Sequence, residues 1–245
     1  MVDEYDLKSI ETVLCAAAPL SSQLKKLVSN RLNVDCVRNG WGMSEFCAAA
    51  ICPRPSASVD SMKKGSVGEV LPGLEVRVLD IENREPLGPN REGELAVRGG
   101  TVMKGYLGNP GATAATIDKD GWLLTGDLGM YDENENFYIT GRLKELIKYK
   151  GWQIAPAELE DALITHEAVA DCAVVGVEAE EDGDGEVPRA FIVVKPGYNP
   201  TPQDIQDFIK DNMASYKQLK GGVVFIETIP RSLAGKILRK ELKKM

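Results

Sequence analysis

Four short segments gather residue types that bind or activate ligands. In Gly40-Trp41-Gly42-Met43-Ser44-Glu45 the glycines let backbone approach a bound group closely. The Trp41 indole offers a flat face to a purine, the Ser44 hydroxyl a contact for phosphate, and Glu45 the hard oxygen that Mg²⁺ prefers. Thr125-Gly126-Asp127 sets a carboxylate after a tight turn, where it can accept both hydroxyls of a ribose. In the run from Gly141 to Ile154, Lys144, Lys148 and Lys150 share one face by period two if the segment is extended throughout. A face of one sign, ending at Gly151, suits an anionic ligand. In Ser232–Lys240, Lys236 follows a glycine turn and precedes a helix, where it can act as a mobile point charge. Each segment alone also has a plainer reading. These are a strand-end turn with a packed tryptophan, an Asx turn, a solvated basic strand, and a basic tail on a terminal helix. Brought together, they suit attack of a carboxylate on the α-phosphate of ATP. Both groups are negative, so such a site must hold sugar and base, neutralise phosphate, and place a cation where charge develops.

The elements that must position these residues fall into three textures. The apolar run Ile10–Ala17, a Ser21 cap with Leu24, Leu27, Val28 and Leu32 at helical spacing, and the run Val34–Val37 give a strand–helix–strand rhythm. That rhythm favours an α/β layer, and a loop at the end of such a strand is where open α/β sheets bind ligands. From Val67 to Thr140 short alternating stretches, Glu75–Leu79, Gly93–Arg98 and Phe137–Thr140, are divided by the turn signals LPG, LGPN and DENEN. They read as a mainly β, barrel-like subdomain. From Arg142 onward the order is a lysine-rich strand (Leu146–Ile154), a helix from Pro156 to His166, and strands at Cys172–Val177 and Ala190–Val194. A helix opened by Thr201-Pro202, a strand at Val223–Ile226 and a basic helix complete it. About 100 residues of mixed α and β suffice for a separate domain. The stretch EAEEDGDGE at 178–186 reads as an exposed loop.

Composition narrows the classes. Apolar residues at 43% and charged residues at 27% are ordinary for a globular chain. A net charge of −8 argues against nucleic acid as a partner. The basic clusters at 142–150 and 236–244 are enough for an anionic cofactor. Five cysteines without a CxxC pair and one histidine, His166, make a zinc site improbable. They suit reduced, mostly buried thiols in an intracellular compartment, the cytoplasm. No run reaches the roughly 20 apolar residues of a membrane span. The segment MVDEYDLKSIE has no apolar signal core, and ELKKM is a poor relative of a peroxisomal tripeptide.

In order and spacing the four segments resemble the signature blocks of the adenylate-forming superfamily, which contains acyl-CoA synthetases, firefly-type luciferases and peptide-synthetase adenylation domains. MKGYLGNPGATAATIDKDGWLLTGDLG, GRLKELIKYKGWQIAPAELE and GKILRKEL look especially similar to 4-coumarate–CoA ligases. The likeness runs from Ser9 to Leu242 and covers only the carboxyl-terminal half of a member. It implies an α/β and α+β architecture. Residues 1–141 would be a remnant of the large AMP-binding domain, an α/β layer plus the barrel-like part, and 142–245 a small mobile mixed α/β domain.

It also implies roles. Asn39, Gly40 and Trp41 frame adenine, and Ala17 and Ala18 of CAAAPL lie near adenine and acyl group. Ser44 touches phosphate, Glu45 holds Mg²⁺, and Asp127 and Arg142 grip the ribose. Lys144 is the hinge of the small domain. Lys236 promotes adenylate formation, Lys148 and Gln153 act in thioester formation, and Lys150 and Gly151 edge the CoA channel. Trp41 stands where tyrosine is usual, Ser44 where threonine is usual, Ala16 for a glycine and Gly141 for an aspartate. The implied function is an ATP-dependent acid–CoA ligase that uses ATP, Mg²⁺, CoA and a small carboxylic acid. The family's Ser/Thr/Gly-rich phosphate loop ending in lysine does not occur in these residues. A complementing amino-terminal half is therefore an expected partner, and the chain alone is expected to be a weak or inactive ligase. The alternatives are a carrier-protein-loading adenylation domain and a noncatalytic nucleotide- or partner-binding fragment.

Overall fold

The apolar run at Thr12–Cys15 and a second short run at Cys36–Asn39 produce two strands, β1 and β2, paired in parallel with Thr12 opposite Cys36. A parallel pair needs a crossover, and α1 (Ser22–Leu32) supplies it. The structure is a computed structural model and describes residues 4–16, 22–54, 63–179, 185–233 and 235–245. The Ser21 cap and most of the 178–186 loop therefore lie outside the described residues. The second strand forms two residues later than the apolar run alone suggests, because Arg38 and Asn39 extend it.

Beyond Gly40 the chain enters an antiparallel sheet of β3 (Trp41–Met43), β4 (Ala48–Cys52) and β5 (Glu69–Val70). A four-stranded sheet follows, in the order β6 (Leu74–Leu79), β7 (Gly93–Gly99), β8 (Leu123–Tyr131) and β9 (Phe137–Arg142). An antiparallel bridge between Gly68 and Phe137 links the two sheets in barrel-like fashion. Trp41, Phe46, Ile51, Leu95, Leu123 and Phe137 fill the core they share. The helix α2 (Pro110–Thr116) has no apolar stripe to announce it. It is set by its ends: Asn109 Oδ1 accepts the Ala112 N–H at 3.0 Å, and proline stands at the first helical position.

Contacts divide the chain into two compact units, Met1–Ile139 and Thr140–Met245. In the second, β10 (Ile147–Tyr149) and β11 (Trp152–Ile154) form a hairpin, followed by α3 (Pro156–Leu163). β12 (Val169–Glu178), β13 (Glu186–Val194) and β14 (Val223–Phe225) make one sheet, with α4 (Pro202–Asn212) before β14 and a short α5 (Arg239–Leu242) at the end. The long apolar run in β12 is explained by burial on both faces. Cys172 and Val174 face a cluster with Leu159, Leu163, Ile205 and Ile209, while Ala173 and Val175 face Phe191, Ile229 and Leu242. Thr201 and Asp204 close a reciprocal capping box on α4. α3 stops at Leu163 rather than at His166, whose Nδ1 instead accepts the Ala168 N–H at 3.1 Å. All five cysteines are free. Only Cys172 is buried and Cys47 is exposed, so the expectation of mostly buried thiols is corrected. Among the described residues no helix is long and apolar enough to cross a membrane.

Candidate active site

The nucleotide-binding candidates of the first unit gather where β2 gives way to β3. Asn39 ends β2 opposite Cys15, and the Gly40 N–H donates to Cys15 O at 2.9 Å. A Cβ at Gly40 would meet Ile51 O, Cys52 Sγ and the Leu14 side chain at 3.5–3.6 Å. These are ordinary contact distances, so packing of the protein alone does not require glycine at this position. Trp41 is 7% exposed and lies 5.4 Å from Phe46, centroid to centroid. Its Nε1–H donates to Asp127 Oδ2 at 2.8 Å. The flat face expected to be open to a purine is largely covered, and the polar edge of the ring is bound to the candidate ribose carboxylate.

Asp127 is not on a tight turn. It sits within β8, opposite a register slip between Glu94 and Ala96 of β7, and Gly126 takes φ 70°. This is a bulge with glycine in the left-handed region. The Gly126 N–H donates to Glu94 Oε1 at 2.9 Å. Glu94 is itself 3% exposed and paired with Arg84. Thr125 Oγ1 donates to Leu95 O at 2.7 Å and accepts the Asp127 N–H at 3.0 Å. The buried Glu94 thus holds the bulge that aims Asp127, a role its place in the EGELAVRG stretch did not single out. The signal was there: a carboxylate inside an otherwise apolar strand requires a partner.

Ser44 and Glu45 occupy a 3₁₀ turn, Ser44–Phe46, closed by the Cys47 N–H on Ser44 O at 3.1 Å. Ser44 is exposed and Glu45 half-buried. The Glu45 backbone O accepts the Met103 N–H at 2.7 Å, and Glu45 Oε1 accepts the Tyr106 hydroxyl at 2.9 Å. That hydrogen bond, followed by burial and the carboxylate charge, pushes the Tyr106 phenol above its ordinary pKa. Among the described residues no group of three His, Cys, Asp or Glu stands ready to hold a metal. A single carboxylate such as Glu45 nevertheless fits Mg²⁺, which keeps several waters and takes further oxygens from substrate phosphates. Ala17 and Ala18 lie outside the described residues.

In the second unit Lys148 pairs directly with Gln153 across the β10–β11 hairpin. Both side chains are exposed, while Ile147, Tyr149 and Ile154 are buried. Lys150 (φ 45°) and Gly151 (φ 83°) form the two-residue turn, whose handedness matches strand twist. Lys144 lies instead on a 3₁₀ turn, Leu143–Glu145, closed by the Leu146 N–H on Arg142 O at 3.1 Å. The single extended face of three lysines therefore does not form. Burial of Leu146 and Ile147 requires the chain to turn inward between Lys144 and Lys148. Arg142 is exposed at the end of β9.

Lys236 is exposed on a small hairpin in which the Ser232 N–H donates to Lys236 O at 2.8 Å and Gly235 takes φ 81°. Arg231 braces it, reaching Gly235 O at 3.1 Å and Asp171 Oδ1 at 2.9 Å. Arg239 just beyond bonds Glu145 Oε2 at 2.7 Å, Val174 O at 2.8 Å and both Glu160 oxygens. The segment after Lys236 is thereby fastened to the turn that carries Lys144. Burial alone would lower the Arg239 pKa, yet Glu160 and Glu145 hold it above its ordinary value.

Residues 1–107 match the family model described as AMP-binding enzyme, and residues 158–236 match the AMP-binding enzyme C-terminal domain. The chain is 40% identical over 245 residues to a luciferin 4-monooxygenase of Photinus pyralis, covering 100% of this chain and 44% of the relative. It is 43% identical over 244 residues to a 4-coumarate–CoA ligase of Vanilla planifolia, covering 99% and 44%. Among solved structures, ATP-bound MatB from Rhodopseudomonas palustris matches with TM-score 0.87 and 28% identity over 95% of this chain and 45% of that one. The anthranilate CoA ligase AuaEII with anthranoyl-AMP matches with TM-score 0.84 and 27% identity over 98% and 45%. The chain spans under half the length of the curated relatives it matches.

Proposed function

Because the chain belongs to the AMP-binding enzyme family, we propose that it carries the carboxyl-terminal part of the nucleotide site and the small domain of an AMP-forming acid–CoA ligase. In this reading Asp127 and Arg142 bind the ribose hydroxyls. Asn39, Gly40 and Trp41 line the base, with Ala17 and Ala18 beside it, and Ser44 contacts phosphate. Glu45 holds Mg²⁺, which when bound neutralises phosphate charge. Lys236 places an ammonium group against the carboxylate and α-phosphate during adenylation. Lys148 and Gln153 then serve thioester formation, with Lys150 and Gly151 at the pantetheine path and Lys144 at the hinge. The five free thiols fit a reducing compartment such as the cytoplasm.

The observation that carries this reading is the division of labour between units. Asp127 and Glu45 belong to the first, whereas the second bears two separate exposed cation sites, the Lys148–Gly151 hairpin and the Lys236 turn. Two half-reactions at one nucleotide call for two such sites. Lys236→Ala should lower acid-dependent adenylate formation by about a hundredfold or more, the scale of removing one charge-stabilising donor. It should leave conversion of supplied acyl-AMP and CoA to thioester near its starting rate. Equal loss in both assays would defeat the assignment. The competing reading is a noncatalytic nucleotide-binding chain. ATP-dependent thermal stabilisation without turnover would select it.

A further inference from the structure

The segment MKGYLGNPGATAAT marks the family resemblance, yet the functional reading above gives it no task. Its geometry supplies one. Gly105 (φ 150°) allows an approach that a side chain would block, since a Cβ there would stand 2.8 Å from Thr113 Oγ1 and Cγ2. Through that gap the Tyr106 N–H donates to Thr113 Oγ1 at 2.9 Å, and Thr113 Oγ1 in turn donates to Asn109 O at 3.0 Å. α2 therefore grips Tyr106 at its backbone. The phenol donates to Glu45 Oε1 at 2.9 Å, and the neighbouring Met103 N–H fixes Glu45 O at 2.7 Å. Glu45 sits on a three-residue turn, Ser44–Phe46, which by itself leaves the carboxylate several rotamers.

We propose that Tyr106 is a positioning residue for Glu45. Thr113 holds the Tyr106 backbone, and the phenol orients the carboxylate that would hold the magnesium of a magnesium–nucleotide complex. This rests on the proposed role of Glu45 as the magnesium-binding residue. Tyr106 touches neither nucleotide nor metal, and it acts only by restricting the carboxylate.

The test is ATP binding to the whole chain, followed by calorimetry across a magnesium series, for the unmodified chain, Tyr106→Phe, Glu45→Gln and the double variant. Tyr106→Phe should raise the magnesium concentration for half-maximal ATP binding about fivefold, the effect of one hydrogen bond of about 1 kcal/mol. Glu45→Gln should raise it further, and the double variant should match Glu45→Gln alone, because Tyr106 works through that carboxylate. Magnesium-free ATP binding should be equal in the unmodified chain and Tyr106→Phe. A normal magnesium curve for Tyr106→Phe beside a shifted one for Glu45→Gln would overturn the inference alone, as would additive shifts in the double variant. An unshifted Glu45→Gln curve, or no ATP binding by the unmodified chain, would overturn the magnesium role of Glu45 and the inference with it. Should Tyr106→Phe fail to fold, Thr113→Val removes the hydroxyl that holds the Tyr106 backbone. It should shift the same curve in the same direction by a smaller factor, and an unshifted curve there would also overturn the inference.

Discussion

Trp41 and Asp127 lie 86 positions apart in the chain and meet through one hydrogen bond of 2.8 Å. In the proposed function Asp127 accepts two sugar hydroxyls, and such a carboxylate gains from having its plane set beforehand, since orientation fixed during folding is not lost again on binding. The indole N–H does this from a ring that is 7% exposed beside an acceptor that is 4% exposed. Trp41→Phe keeps an aromatic ring and removes only the donor. Hydrogen bonds to charged groups contribute roughly 1.5–3 kcal/mol, so the variant should weaken nucleotide binding by about tenfold or more. Unchanged affinity in a fluorescence titration would show that Asp127 needs no such support. Both residues were legible in the sequence as types, an aromatic between glycines and an aspartate after a glycine. Their pairing was not, because it depends on the register of β8 and on the bulge at Gly126. Glu94 was missed for the same reason: its significance comes from what lies across the strand. Tyr106 was visible within a recognised motif, but its partner Glu45 is 61 positions away.

At the scale of elements, the terminal α5 has only four residues and cannot hold itself in place by helical hydrogen bonding. Arg239 anchors it to Glu160 on α3, to Val174 O on β12 and to Glu145. The Arg239 and Glu160 side chains are 16% and 15% exposed, so removing one leaves the other charged in a poorly solvated site. Arg239→Met should destabilise the chain by about 3 kcal/mol, the lower end for breaking a largely buried pair, and adding Glu160→Gln should restore part of that loss. Urea unfolding measures both, and a double variant less stable than the single one would contradict the argument. Elements built on periodicity were readable. β6, β7, β9, β12, β13 and α4 all stand on the stretches whose alternation or helical spacing marks them. Other elements escaped, among them β3, β4, β5 and β8, which no marked stretch covers. α2 is a run of Gly, Ala and Thr with no stripe, specified by Asn109 and Pro110 alone. The 142–154 segment reads as one strand because its lysines recur at even positions. Only the burial of Leu146 and Ile147, and the left-handed pair Lys150–Gly151, break it into a 3₁₀ turn and a hairpin.

For the molecule as a whole, the two units differ in how fully each covers its own apolar surface. In the first, Leu14, Leu24 and Leu27 of β1 and α1 are 58%, 49% and 59% exposed, an unusual state for large aliphatic side chains on adjoining elements. The second unit encloses its sheet. One core cluster, from Ile147 to Leu219, and another, from Ala173 to Leu242, cover the two faces of β12–β13, and every buried member of both lies between Thr140 and Met245. Roughly a hundred residues with a sheet covered on both sides satisfy the ordinary requirement for independent folding. The segment from Thr140 to Met245, made alone, should therefore give a cooperative thermal transition and dispersed amide resonances, with the Arg239 network intact. The segment from Met1 to Ile139, made alone, should self-associate at lower concentration, and Leu24→Gln with Leu27→Gln should reduce that tendency. A broad, noncooperative melt of the carboxyl-terminal segment would mean that its two core clusters do not suffice. It would also weaken the functional reading, because a unit that offers Lys236 for one half-reaction and the Lys148–Gln153 face for the other must keep both loops in fixed geometry as one rigid body.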